Sequence, residues 1–199
     1  MNYGTHHSAA SGLALVIALA GTVLAASACT ATGDGGPAET SDAVSPTAPA
    51  SPTLLPEQID DPEEAAIVAY TRYWDTITAE LAAPDGEYSA FGEVASEQAL
   101  EYAKSIEQRG VDEQVHGTGE FTHEISVKES VITDEVQQVV VTDCSDSSDT
   151  QVLNADDEPV ADEEYGPSHI EARVEHLDGR WLVTVIAVQE IGSCTPIGS

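Results

Sequence analysis

Basic residues are scarce in this 199-residue chain, which has 6 Lys and Arg against 36 Asp and Glu and a formal net charge of -30. All six basic residues follow position 57, and all acidic residues except Asp34, Glu39 and Asp42 lie at position 57 or later. Proteins bind nucleic acid largely by placing Lys and Arg against phosphates. The shortage therefore excludes DNA and RNA as partners and disfavours direct binding to anionic lipid headgroups. The acidic surplus itself indicates solubility, or weak binding of cations.

The sequence also lacks the short motifs that carry a recognised chemistry. It contains no GxSxG, P-loop, HExxH, CxxC or dinucleotide-binding pattern, so we expect no cofactor. Asp143, Asp146 and Asp149 are spaced by three residues, and further acids follow up to Pro167. The glycine-containing ligand spacing of a calcium loop is absent from this segment. We therefore expect a solvated acidic loop from Asp149 to Pro167, and no metal site.

Lysine and arginine are missing from the N-terminal segment, where residues 9–28 carry no charge at all. The apolar centre, Leu13 to Ala20, fits the hydrophobic region of a secretory signal peptide. Small residues at 26–28 fit a cleavage site, and Cys29 follows them as in a bacterial lipobox, although Ala26 stands where a lipobox usually has Leu. These features predict a signal peptide at 1–28 and lipid attachment at Cys29. An uncleaved membrane anchor is the alternative.

Residues 29–58 have few bulky apolar side chains and are rich in Pro, Ser, Thr and Ala. Such segments cannot offset the entropy lost on ordering and behave as extended linkers. We expect a disordered stalk at 29–58 that holds a folded domain, 59–199, away from the outer face of the cell membrane.

Only three cysteines occur, at Cys29, Cys144 and Cys194. An odd number of thiols in an exported protein requires an explanation. Lipidation of Cys29 leaves one pair in the folded part. We therefore predict a Cys144–Cys194 disulfide, which an oxidising compartment favours.

The region from 59 onward changes its hydrophobic period once. Apolar residues recur at helical spacing from Ala66 to Leu81 and again from Ala99 to Ile106, with Gly110 as the expected end of the second helix. From Phe121 onward the pattern alternates like strands, in four runs, and Asp178-Gly179 indicates a tight hairpin between the last two. Helices followed by antiparallel strands predict an α+β fold.

The segment DCSDSS at 143–148, the segment DGRWLV at 178–183 and the terminal Cys194 carry a family resemblance. Together with the element order, they make residues 60–195 similar to the nuclear transport factor 2-like domains of secreted lipoproteins from high-GC Gram-positive bacteria. The resemblance implies three N-terminal helices packed on a curved four-stranded antiparallel sheet, which enclose a cone-shaped cavity. It does not imply an activity, because this fold includes enzymes, transport factors and binding modules.

Candidate cavity residues follow from that resemblance. Tyr70, Trp74 and Tyr102 lie on the predicted helices and are candidates for the cavity lining, although tyrosines at helical spacing usually pack in a core. His123 and His176 lie on predicted strands. Neither has a carboxylate placed beside it by the sequence, so we assign no catalytic residue.

The sequence therefore favours a non-catalytic lipoprotein of the cell envelope. Its domain would bind a small apolar ligand or another envelope protein, and the lipid anchor would make the membrane its second partner. A cavity enzyme of the isomerase or dehydratase type is the alternative, and a purely structural subunit is the third. An enzyme requires a polar cluster with an acid at the cavity, whereas a binding module requires an apolar cavity.

Overall fold

The structure, a computed structural model, describes residues 54–197. The predicted signal peptide at 1–28, the predicted lipid attachment site Cys29 and the predicted stalk up to residue 53 lie outside the described residues. The described chain is α+β, with two α-helices rather than the three that the resemblance implies. Its α-helices are α1 (Pro62–Leu81) and α2 (Glu97–Glu113), its strands are β1 (Val115–Gly119), β2 (Thr122–Ile132), β3 (Gln137–Asp146), β4 (Thr150–Asn154), β5 (Pro167–Leu177) and β6 (Arg180–Ile191), and 3₁₀ turns form at Pro56–Gln58 and Phe91–Glu93.

Helix α1 begins directly after a capping aspartate. Asp61 Oδ1 accepts hydrogen bonds from the backbone N–H groups of Glu63 at 2.9 Å and Glu64 at 3.3 Å, and Pro62 opens the first turn. These contacts satisfy donors that have no partner inside the helix. The apolar stripe of α1 is buried and consists of Ala65, Ala66, Ala69, Tyr70, Tyr73, Trp74 and Ile77.

Helix α2 runs past the glycine that was expected to end it. It continues to Glu113, and the left-handed Gln114 follows with a φ of 54°. Gly110 is instead a packing position, because a Cβ built there would lie 2.6 Å from Pro84 Cγ. The prediction that Gly110 ends the helix is therefore wrong. Close packing of the α1–α2 connection required the glycine.

The four long strands form one antiparallel sheet in the order β2-β3-β5-β6. Asp178 and Gly179 have positive φ values of 53° and 81° and connect β5 to β6, which confirms the predicted hairpin. Strand β3 extends through Asp146, so the first four residues of the DCSDSS segment belong to the strand, and only Ser147 and Ser148 follow it.

A second sheet was not predicted. Strands β1 and β4 pair antiparallel, with Val115 opposite Asn154 and Gly119 opposite Thr150. The expectation of a single four-stranded sheet is therefore incomplete, and part of the supposed acidic loop is strand. The two strands are five residues each, which is too short for alternation to identify them.

The core lies between the two helices and one face of the large sheet. It joins residues of α1 such as Tyr70 and Ile77 to Val139, Val174 and Val183 of the strands. Backbone hydrogen bonds fix the start of α2 against the sheet, since Val183 N–H donates to Val94 O at 3.0 Å and Ser96 N–H donates to Val183 O at 2.9 Å.

Candidate functional site

The helix-facing side of β3 changes from apolar to polar along the strand. Val139, Val141, Asp143 and Ser145 are all buried and alternate with less buried residues. The first two pack in the core, whereas the last two place a carboxylate and a hydroxyl under α1. The sheet therefore carries polar groups at one end of the core.

Asp143 is the centre of a buried hydrogen-bond network. Its Oδ2 accepts the Tyr70 hydroxyl at 3.0 Å and lies 2.6 Å from His123 Nδ1, while Oδ1 accepts the Glu124 N–H at 2.9 Å. The Asp143 side chain has no exposed surface. Three partners compensate the removal of this carboxylate from water.

Tyr70 acts as a donor in this network. Burial, and then the negative charge of Asp143, raise the pKa of the Tyr70 phenol far above its ordinary value of 10.0. The hydroxyl therefore keeps its proton at neutral pH and donates a hydrogen bond to Asp143 Oδ2.

His123 is oriented by the same carboxylate. Asp143 Oδ2 lies 2.6 Å from His123 Nδ1. In the tautomer that carries its proton on Nδ1, the imidazole donates to this carboxylate and leaves Nε2 as an acceptor. The ring lies 5.7 Å from the Trp74 ring and 6.2 Å from the Phe121 ring, centroid to centroid. This side chain is 17% exposed and borders a groove of about 460 Å³. The arrangement is that of a base held by a carboxylate.

A separate cavity of about 220 Å³ lies between the helices and the large sheet. Its lining is mainly apolar and includes three serines from the strands and the adjoining turn. The lining residues are Trp74, Ile77, Leu81, Tyr102, Ile106, Phe121, Ser145, Ser147, Gly166, Ser168, Ile170, Val188 and Ile191. Trp74 and Phe121 also line the groove beside His123. The two spaces therefore share an aromatic wall.

Two of the three candidate cavity residues line this space. Trp74 and Tyr102 do so, whereas Tyr70 is not part of the lining and contacts Asp143 instead. Burial raises the pKa of Tyr102, so its phenol is also neutral.

Another cavity of about 220 Å³ lies where the end of α1 meets the small sheet. Leu81 and Phe121 line both this cavity and the one under the helices. Phe121 precedes β2 and contacts Trp74 at a ring-centroid distance of 5.6 Å. The sequence identified Phe121 only as a strand residue.

The predicted disulfide is present. Cys144 and Cys194 are bonded, with their Cα atoms 5.9 Å apart, and the bond connects β3 to the segment after β6. Cys144 follows Asp143 in the strand and therefore faces away from the helices. The neighbouring Ser193 Oγ accepts the His169 N–H at 2.8 Å, which ties the same segment to β5. The cysteines have a structural role.

The other acidic and histidine candidates do not converge. Asp143 is buried under α1. Asp146 Oδ1 instead accepts hydrogen bonds from the hydroxyl and the backbone N–H of Ser148, and these bonds lower the pKa of Asp146. His176 packs beside Trp181 at 5.3 Å, far along the sheet from the Asp143 network. The sequence missed the pairing of Asp143 with His123, because the two residues come from different strands.

No helix among residues 54–197 combines the length and apolar character needed to cross a membrane. No protein-family model and no curated protein matches the sequence. Among solved structures, the chain is similar to the intermembrane space region of the chloroplast protein ARC6. The sequence identity is 12%, the TM-score is 0.49, and the match covers 63% of this chain and 95% of that one. At this identity and score, the similarity carries no argument about function.

Proposed function

We propose that the chain is an extracytoplasmic lipoprotein whose nuclear transport factor 2-like domain binds a small apolar ligand without chemically changing it. The cavity between the helices and the large sheet carries this proposal. Apolar side chains dominate its lining, and its hydroxyls come from Tyr102 and three serines. Such a cavity holds an apolar ligand by burial and orients it through few hydrogen bonds.

Strand irregularities support the assignment of the fold. Register shifts occur between Val127 and Glu129 in the β2–β3 pair and at two places in the β5–β6 pair. Bulges of this kind bend strands and increase their twist. From a bent sheet with both helices on one face, we infer the cone that the sequence resemblance implies.

The size of the cavity limits the ligand. An apolar cavity of about 150 Å³ in another protein holds benzene. The present volume of about 220 Å³ therefore fits a substituted benzene or a short acyl chain. Trp74 and Phe121 offer aromatic faces to such a ligand, while Ser145 and Ser168 offer hydrogen bonds to one polar substituent.

The extracytoplasmic location rests on sequence and chemistry together. Residues 1–28 have the pattern of a signal peptide, and a disulfide of the Cys144–Cys194 kind persists in oxidising compartments. Intact-mass measurement of detergent-extracted protein tests the anchor. We expect a mature chain that begins at a lipid-modified Cys29, and an unmodified chain that begins at Met1 would contradict it.

Ligand binding is tested by thermal unfolding of the folded domain with para-cresol, para-xylene and hexanoic acid. We expect at least one of these probes to raise the unfolding temperature in a concentration-dependent way. Ile106→Phe adds volume at the cavity wall and should remove the effect. Val136→Phe, at an exposed position, is the matched control and should retain it. If the probes raised the unfolding temperature of Ile106→Phe as much as that of Val136→Phe, they would bind outside this cavity.

The His123–Asp143 contact favours an enzyme of the isomerase type as a second candidate. A base held by a carboxylate can remove a proton next to a ketone. The test is deuterium exchange into 3-cyclohexen-1-one, followed by NMR with wild-type protein and with His123→Gln. A non-catalytic domain gives no exchange above buffer. Exchange that depends on His123 would replace the first proposal with the second.

A further inference from the structure

Three carboxylates meet where the end of α1 and the following loop contact α2. One oxygen each of Glu80, Asp85 and Glu107 lies within 4.8 Å of the others. Glu80 is half-buried, Asp85 is exposed, and Glu107 is fully buried with no exposed surface. These residues belong neither to the Asp143 network nor to the acidic segment after β3.

Glu107 is the residue that distinguishes this cluster from an ordinary acidic surface. Its Oε1 accepts the backbone N–H groups of Asp85 at 2.9 Å and Gly86 at 3.1 Å. Its Oε2 is buried and has no hydrogen-bond partner among the described residues. A buried carboxylate oxygen without a partner is costly, and a bound cation is one of the few groups that compensate it.

The groups around the three carboxylates favour binding of a cation. The cluster lies at the C-terminal end of α1, where the helix dipole is negative, and the last turn of α1 has no basic residue. The basic residues of α2 are engaged with other acids, since Lys104 pairs with Glu101 and Arg109 pairs with Glu113 and Glu163. Three close carboxylates therefore repel one another with no described basic side chain to offset them.

We propose that Glu80, Asp85 and Glu107 bind one calcium ion. All three offer oxygen, which is the ligand that calcium prefers, and the cluster contains no nitrogen or sulfur ligand that would select zinc. Because Asp85 is exposed, the ion can reach the cluster from solvent on that side. The ion joins the end of α1 to the middle of α2, two elements distant in sequence.

The site lies next to the cavity under the helices. Leu81 follows Glu80 and Ile106 precedes Glu107, and both side chains line that cavity. Calcium therefore holds together the two helices that cover the cavity. The calcium proposal stands independently of what the cavity binds, because none of the three ligands is part of its lining.

Thermal unfolding with calcium chloride or with EDTA, at constant ionic strength and pH, tests the proposal. We expect saturating calcium to raise the unfolding temperature of the wild-type protein by about 5 °C or more. Glu107→Gln preserves the size of the side chain and an oxygen for the Asp85 and Gly86 N–H groups, and its amide can donate to the neighbouring carboxylates. This variant should fold and lose the calcium response. Glu80→Gln is the second variant and should weaken the response.

Asp146→Asn is the matched control, because it removes one negative charge from the acidic segment far from the cluster in sequence. It should respond to calcium as the wild type does. Isothermal titration calorimetry should give one bound calcium ion per chain for the wild type and for Asp146→Asn. The proposal is overturned if the wild type shows no calcium response, if Glu107→Gln and Glu80→Gln both retain the full response, or if Asp146→Asn abolishes it.

Discussion

Two buried tyrosines on α1 provide a matched test of the charge at Asp143. Both are fully buried. The Tyr70 hydroxyl donates to Asp143 Oδ2 at 3.0 Å, and the Tyr73 hydroxyl donates to the Ala99 carbonyl at 3.1 Å. A hydrogen bond to a charged group contributes about 1.5–3 kcal/mol to stability, and a neutral one about 0.5–1.5 kcal/mol. We expect Tyr70→Phe to lower the free energy of unfolding by about 2 kcal/mol and Tyr73→Phe by about 1 kcal/mol.

Urea unfolding of the disulfide-intact protein at pH 7, followed by tryptophan fluorescence, measures both losses. The slope of free energy against urea should stay constant, so that the midpoint reports stability. Asp143→Asn in the wild-type and Tyr70→Phe backgrounds completes a double-mutant cycle, for which we expect a coupling energy of about 1 kcal/mol. Equal losses for the two tyrosines, with no coupling, would refute the view that Asp143 is a charged acceptor for Tyr70.

The same pair predicts the stability at alkaline pH. The raised pKa of Tyr70 means that the folded phenol keeps its proton above pH 10, where the unfolded one loses it. The unfolded state then binds fewer protons, so stability is complete below about pH 10 and falls above it, by at most about 1.4 kcal/mol per pH unit for this residue. Tyr70→Phe should show a shallower decline between pH 10 and 11, and parallel curves would contradict the assignment.

Three further predictions concern the scaffold. Replacing Cys144 and Cys194 by Ser should lower the free energy of unfolding by up to about 4 kcal/mol, because a 50-residue separation is no longer closed in the unfolded chain; a loss under about 1 kcal/mol in urea would contradict this. Gly110→Ala should cost about 1–3 kcal/mol through its contact with Pro84, whereas Gly92→Ala, which meets nothing within 4 Å, should change stability by less than about 0.5 kcal/mol. Sodium chloride should raise the unfolding temperature, since the net charge of -30 repels itself and salt screens it, and a flat salt dependence would show that this repulsion is local.

The secondary structure was predictable where local rules decide it. Asp61 and Pro62 mark the start of α1 because capping depends on adjacent residues, and Asp178-Gly179 marks a hairpin because few residues adopt positive φ. Gly110 misled for the opposite reason. A glycine is needed at this position because Pro84, 26 residues earlier, packs against it, and no local sequence pattern reports that contact.

The small sheet and the candidate sites depended on contacts distant in sequence. Strands β1 and β4 each have five residues and pair across more than thirty positions, so neither has a local signal strong enough to predict. Asp143 appeared as one acid among many. Only the strand order places it beside His123 and beneath Tyr70.

The sequence by itself determined the acidic character, the α+β class and the cysteine pairing. Each of these follows from composition, period or the count of one residue type. The tertiary structure alone decided which carboxylates are buried and what they contact. Burial and pairing depend on how α1, α2 and the strands pack together, and only this packing distinguishes Glu107 and Asp143 from the other 31 acidic residues among residues 54–197.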